Sequence, residues 1–163
     1  MESSENLISW IKHHEGFRAT AYIDDYAGTT RIEYSIGYGH QIRQNEDWLM
    51  RVTLTEDESD TILRNDLVEY EKYVNRYVTI PLTQSQFDAL VNLNFAAGPG
   101  AVLNSKLYDA INAKNWESVK VIWGNLSVHY KGIILPSLVE MRETELSMFF
   151  SGIKKKNIFF QEY

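Results

Sequence analysis

The chain is predicted to be an α+β protein in which a small antiparallel sheet is joined by a long helix to a mainly helical lobe. Three observations predict this. The stretch from Ala19 to Gly39 is rich in Tyr, Ile, Thr and Gly with turn signals between them, a helical period then runs for about 23 residues from Thr55, and several shorter helical patterns follow. No internal repeat or low-complexity linker separates these parts, so residues 1–163 are expected to form a single domain.

The elements can be justified in order. Leu7, Ile8 and Ile11, with Trp10 beside them, form a helical stripe after the candidate caps Ser3 and Ser4. This first helix, within residues 1–17, should end at Gly16 to Phe17 and pack with the carboxyl-terminal lobe. Asp24-Asp25 and Ala27-Gly28 punctuate the strand-forming residues, which places a sheet-rich lobe at residues 18–54. Thr55-Glu56-Asp57-Glu58 is a capping box, in which the Thr and Glu side chains satisfy each other's unpaired backbone donors. Behind it Ile62, Leu63, Leu67, Tyr70, Val74 and Tyr77 keep one apolar face along a connecting helix at residues 55–79, and Pro81 lies just beyond. A second box, Thr83-Gln84-Ser85-Gln86, opens a helix bearing Phe87, Leu90, Val91 and Phe95, which Gly98-Pro99-Gly100 should break. Patterns over Ser105 to Asn112, Trp116 to Trp123 and Leu138 to Phe150 complete a helical lobe at residues 80–163. Trp116, Trp123, Phe149 and Phe150 are its expected core aromatics.

Composition narrows the function classes. A formal charge of −6 argues against non-specific nucleic-acid binding, which needs a clustered basic surface to displace phosphate counterions. The basic run Lys154-Lys155-Lys156 is expected to be a solvated turn before a tail, Ile158-Phe159-Phe160, that docks back on the body. With zero cysteines there is no disulfide framework or thiolate metal site, which fits folding in a reducing cytoplasm. No stretch approaches the ~20 apolar residues that span a bilayer, so stable membrane insertion is not expected. Met1 to Asn6 is polar and acidic and does not resemble a secretion signal.

Two carboxyl groups are candidates for chemistry. Glu15 falls at the carboxyl end of the first helix, where the negative end of the helix dipole raises a carboxyl pKa and Phe17 and Tyr22 help desolvate it. Asp24 falls in the sheet segment, where water and turn amides keep a carboxylate ionised. A pair split in this way, one acid kept protonated and one carboxylate kept charged, suits cleavage of a glycosidic bond. Taken singly, either residue reads as a solvated surface carboxylate, the fate of most of the 22 acidic residues.

The combined string carries more weight. His14-Glu15-Gly16-Phe17-Arg18, Ala21-Tyr22-Ile23-Asp24 and Ser35-Ile36-Gly37-Tyr38-Gly39-His40 follow one another, and together they resemble the phage lysozyme family of endolysin muramidases, glycoside hydrolase family 24. That family's signature is Glu-Gly, an Asp nine residues after the Glu, then Thr-Ile-Gly-x-Gly-His. Thr83-Gln84-Ser85-Gln86-Phe87-Asp88-Ala89-Leu90 resembles a later family segment, and Phe95 to Gly98 with Ser105 and Leu107 follows the next. The resemblance covers roughly residues 7–150 and implies a lysozyme-like fold.

It also implies roles. Glu15 would be the general acid, with Asp24 and Ser35 positioning water or stabilising an oxocarbenium-like transition state. Three further residues are expected to contact substrate: Tyr22, Asn94 on the polar edge of an otherwise apolar helix, and Glu33 near the cleft. His40 would be the structural ion-pair partner of Asp66 on the long helix. No cofactor or metal is implied, and His13, His14 and His129 have no metal-ligand spacing with His40. The implied substrate is the β-1,4 link between N-acetylmuramic acid and N-acetylglucosamine in bacterial peptidoglycan. The implied protein is a monomer, made in the host cytoplasm without a signal peptide and released to the wall by a holin or another delivery system, or carried in a virion.

The sequence departs from the family pattern in three places. Ser35 stands where the family has Thr. Asp24 and Ser35 are 11 positions apart against six in the family, so about five residues are inserted within Asp25 to Tyr34, bringing Arg31 and Glu33 near the cleft. The family's Gly-Leu-x-x-Arg-Arg appears as Pro136-Ser137-Leu138-Val139-Glu140-Met141-Arg142, with Arg142 expected to pair with Glu145 or Glu143. Two other functions remain open on the sequence: a peptidoglycan-binding virion or secretion-apparatus module with weak or lost catalysis, and a lytic transglycosylase.

Overall fold

The structure is a computed structural model that describes residues 1–24 and 33–151. Arg31, most of the inserted hairpin and the Lys154 to Phe160 tail lie outside the described residues.

Helix α1, Glu5–Glu15, starts where the Ser4 side chain accepts a hydrogen bond from the Leu7 amide. It buries Leu7, Ile8 and Ile11. It stops at Gly16, whose φ of 69° lets its N–H turn back to the Lys12 carbonyl at 3.1 Å. Glu15 is therefore the last residue of the helix and projects from its carboxyl end. A three-stranded antiparallel sheet follows in the order β1 (Arg18–Ile23), β2 (Tyr34–Gly37), β3 (His40–Gln41). The register shifts between Arg18 and Tyr22 in β1 and places Ser35 opposite Tyr22 on one side and Gln41 on the other. A 3-10 helical segment, Gln44–Arg51, kinked at Glu46, closes the sheet lobe.

Both capping boxes form. Thr55 and Glu58 open α2, Glu56–Tyr77, and Thr83 and Gln86 open α3, Gln84–Ala97. The rest of the helical lobe comprises α4 (Pro99–Asn104), α5 (Leu107–Asn112), α6 (Trp116–Gly124) and α7 (Pro136–Ser151). Gly98-Pro99-Gly100 ends α3 as the sequence suggests, but it also begins α4, because proline in the first turn has no amide to leave unpaired and its φ already suits a helix. Helix α5 starts two residues later than its periodicity predicts, since Lys106 is left-handed with φ 62°. The hairpin β4 (His129–Tyr130) and β5 (Ile133–Ile134) is absent from the sequence reading: its strands are too short to display alternation. Its turn residues, Lys131 and Gly132, both have positive φ, as a two-residue hairpin turn that matches strand twist requires.

Two apolar cores result. The larger gathers Leu7, Ile11, Leu67, Phe87, Leu90, Trp123 and Phe149, among others, and the smaller holds Ile36, Leu49 and Leu54 under the sheet. Helix α2 serves both, sending Leu63, Leu67 and Val74 into the first and packing Ile62 on the second. Trp116 and Phe150 pack partly buried against the larger core. Arg142 takes Glu145, not Glu143, as its partner, and both are buried. Asn92 and Trp123 donate to the same carboxylate at 2.7 and 2.9 Å. Among the described residues no helix is long and apolar enough to cross a membrane.

Candidate active site

A cleft of about 730 Å³ separates the sheet side from the helical lobe. Glu15, Asp24, Tyr22 and Glu33 line it, as do His40 and Asp66, with Phe95 to Gly98 forming part of the opposite wall.

Glu15 reaches the cleft from the end of α1. Solvent touches it, yet the surrounding protein holds its carboxyl above the ordinary value, through desolvation first and the nearby Asp24 carboxylate second, with His14 opposing. The sheet makes room for it at Gly39. A Cβ there would stand 3.1 Å from Glu15 Oε2, and the backbone φ is +84°, so a side chain would strain the backbone and push the Glu15 carboxyl aside.

Asp24 follows the last residue of β1 and stays in register with β2, its amide donating to the Glu33 carbonyl at 2.9 Å. The Ser35 hydroxyl donates to Asp24 Oδ2 at 3.0 Å. Ser35 is fully buried, between Tyr22 and Gln41 in the sheet, and forms no part of the cleft wall. This corrects the expectation that its hydroxyl holds a water directly: with its one proton given to Asp24 and no exposed surface, Ser35 orients the carboxylate. Tyr22 is half-buried in the same wall, with the Arg18 guanidinium 4.6 Å from its ring centroid. Burial, then the Asp24 and Glu15 charges, raise its phenol pKa. Glu33 accepts a hydrogen bond from the Gln41 side chain.

Asn94 is a second correction. It is fully buried, and its Nδ2 donates to the Leu90 carbonyl at 2.7 Å and the Tyr108 hydroxyl at 2.8 Å, so it ties α3 to α5 instead of facing substrate. Helical phase misled here because α3 is enclosed on nearly all sides, leaving no polar edge. His40 bonds through Nδ1 to Asp66 at 2.7 Å and through Nε2 to Glu46 at 3.1 Å. The Asp66 hydrogen bond is the main reason its pKa is raised, with burial opposing. Glu46 was not anticipated, since it sits on a kinked 3-10 segment without a periodic signal. Arg18, Arg43 and Tyr70 are further cleft residues that the sequence reading missed. Strand parity could not have found Arg18, because the register of β1 shifts between Arg18 and Tyr22. Among the described residues no cluster of His, Cys, Asp and Glu could hold a metal ion.

Taken together, a sheet lobe and a helical lobe joined by a long helix, with two carboxyl groups, Glu15 and Asp24, lining the cleft between them, define a lysozyme-like protein. The family model described as "Phage lysozyme" matches residues 12–145. The chain belongs to the phage lysozyme family. It is 30% identical over 155 residues to the endolysin of Acyrthosiphon pisum secondary endosymbiont phage 1, covering 93% of this chain and all of that one. With the endolysin of Bacillus phage B103 it shares 33% identity over 161 residues, 97% of this chain, and spans 57% of that relative's length. Among solved structures it superposes on the muramidase domain of SpmX from Asticaccaulis excentricus with a TM-score of 0.75 at 30% identity, covering 91% of this chain and 97% of that domain. A lysozyme of phage P22 gives the same TM-score of 0.75 at 28% identity, with 92% and 99% covered.

Proposed function

We propose that this chain is a muramidase that hydrolyses the β-1,4 bond between N-acetylmuramic acid and N-acetylglucosamine in bacterial peptidoglycan. The observation that carries the reading is the division of labour between two cleft carboxyls: Glu15, whose pKa is raised by desolvation in the cleft and by Asp24, and Asp24, which takes a hydrogen bond from buried Ser35. Glu15 gives its proton to the glycosidic oxygen as the bond to the anomeric carbon breaks, and the bonding electron pair leaves with that oxygen. The positive charge that develops on the sugar faces the Asp24 carboxylate. Water then adds to the anomeric carbon and loses its proton to a cleft carboxylate. Tyr22 and Glu33 contact the glycan, and the His40–Asp66 pair with Glu46 holds the sheet lobe to α2 behind them. The protein acts as a monomeric, single lysozyme-like domain without a cofactor, on the cell wall, after delivery by a holin or a comparable system.

Glu15→Gln tests this, since the amide keeps the shape and loses the proton donor. Release of reducing ends from purified peptidoglycan should fall by about 10²–10⁴-fold, the usual worth of a positioned general acid, with no loss of melting temperature. Undiminished release by that variant would remove Glu15 from the role.

A further inference from the structure

A second, smaller hollow of about 220 Å³ lies between the 3-10 segment and α2. It shares His40, Arg43 and Asp66 with the main cleft, so the two adjoin at these residues. Its remaining wall includes Trp48, Asn65 and Glu69. Trp48 is 59% exposed, whereas its neighbour Leu49 is 2% exposed and anchors the segment in the small core. Trp10 and Trp116 pack against the large core and Trp123 is fully buried in it, so Trp48 is the tryptophan that the fold does not use. An exposed indole at the edge of a cleft costs solvation and is characteristic of a binding surface.

The polar groups around it say what it binds. Asn65 offers both a donor and an acceptor, and Glu69, 58% exposed, offers acceptors. Arg43 is 57% exposed and only loosely held, 3.7 Å from Glu69 and 3.9 Å from Asp66, so its guanidinium is free to donate to a ligand. Acidic groups (Glu46, Asp66, Glu69) outnumber the basic ones along this wall, which disfavours an anionic ligand such as an acidic peptide stem or a wall phosphate. A pyranose suits it: one apolar ring face for the indole, and equatorial hydroxyl and acetamido groups for the amide, carboxylate and guanidinium.

We propose that the Trp48 hollow is an additional saccharide subsite, which takes an uncharged N-acetylglucosamine ring of the same glycan strand where the strand leaves the cleft beside Arg43. This rests on the reading of the cleft as a glycan site, and it makes the protein prefer long strands to short ones.

The test uses the full chain carrying Glu15→Gln, so that ligand is not consumed, titrated calorimetrically with peptide-free peptidoglycan strands of two and of six saccharides. The six-sugar strand should bind several-fold more tightly than the two-sugar strand. Adding Trp48→Ala should erase most of that length dependence, and Trp48→Tyr should restore part of it. Equal affinity for the six-sugar strand with and without Trp48→Ala, in protein of unchanged melting temperature, would overturn the subsite while leaving the cleft reading intact. Failure of the Glu15→Gln protein to bind either strand, together with no release of reducing ends by the unsubstituted protein, would overturn both.

Discussion

Glu145 is the most consequential buried charge in the helical lobe, and removing it gives the sharpest stability prediction. Its side chain is fully buried and takes hydrogen bonds from Asn92, Trp123 and the Arg142 Nη2, while Arg142 Nε stands 2.8 Å from its second oxygen. Burial raises the Glu145 pKa and lowers that of Arg142 in spite of their mutual attraction, so desolvation outweighs pairing for both charges. Glu145→Ala leaves a guanidinium that is 1% exposed with the Leu126 carbonyl, 3.4 Å away, as its one remaining described acceptor. An uncompensated buried charge of this kind costs about 3–5 kcal/mol. At roughly 2–4 °C per kcal/mol for a chain of this size, the melting temperature should drop by about 6–20 °C. The assay is thermal unfolding followed by circular dichroism, with urea denaturation to check that the slope is unchanged and the midpoint alone moves. Replacing both partners, as Arg142→Met with Glu145→Leu, should recover most of the loss, since an apolar pair avoids the desolvation cost. A fall of less than about 2 °C for Glu145→Ala, under 1 kcal/mol, would refute the reasoning, because it would mean that water reaches the guanidinium.

Other predictions concern the cleft. Gly39→Ala combines a left-handed backbone, worth about 1–2 kcal/mol, with a methyl against the Glu15 carboxyl. Its kcat on peptidoglycan should therefore fall by more than its modest loss of melting temperature accounts for. Ser35→Ala removes a buried hydrogen bond to a carboxylate, worth about 1.5–3 kcal/mol. It should lower kcat with KM little changed, as expected of a residue that orients Asp24 without touching substrate. His40 has a pKa raised above 6.5 by Asp66 and Glu46, so its contribution to stability is complete below 6.5 and is lost as pH rises through the raised value. The melting temperature of Asp66→Asn should accordingly differ most from that of the unsubstituted protein below 6.5, and the gap should narrow above the raised value.

What the sequence disclosed followed from local rules. The helix starts at Ser4, Thr55 and Thr83 were legible because capping chemistry lies within three residues of sequence. The approach of Glu15 to Asp24 was legible only through the family string. Features created by tertiary enclosure were not: Asn94 looked polar-edged until α3 was seen wrapped by its neighbours, and Ser35 looked available until the sheet covered it. The Arg142–Glu145 pair, three residues apart, was one of the two pairings that the sequence offered, but Glu46 and the Asn92 and Trp123 bonds to Glu145 escaped because they are brought together by a kinked segment and by helix packing between α3, α6 and α7, which no spacing encodes.

The central claim is that the Glu15 carboxyl is held above its ordinary value, first by desolvation and then by the Asp24 carboxylate. Site-resolved carbon NMR titration of the Glu15 carboxyl tests it most directly. Glu15 should titrate above the ordinary 4.5, and in Asp24→Asn it should move down toward that value, because the charge that adds to desolvation in raising it has been removed. A Glu15 carboxyl that titrates at or below 4.5, or that does not respond to loss of the Asp24 charge, would contradict the account.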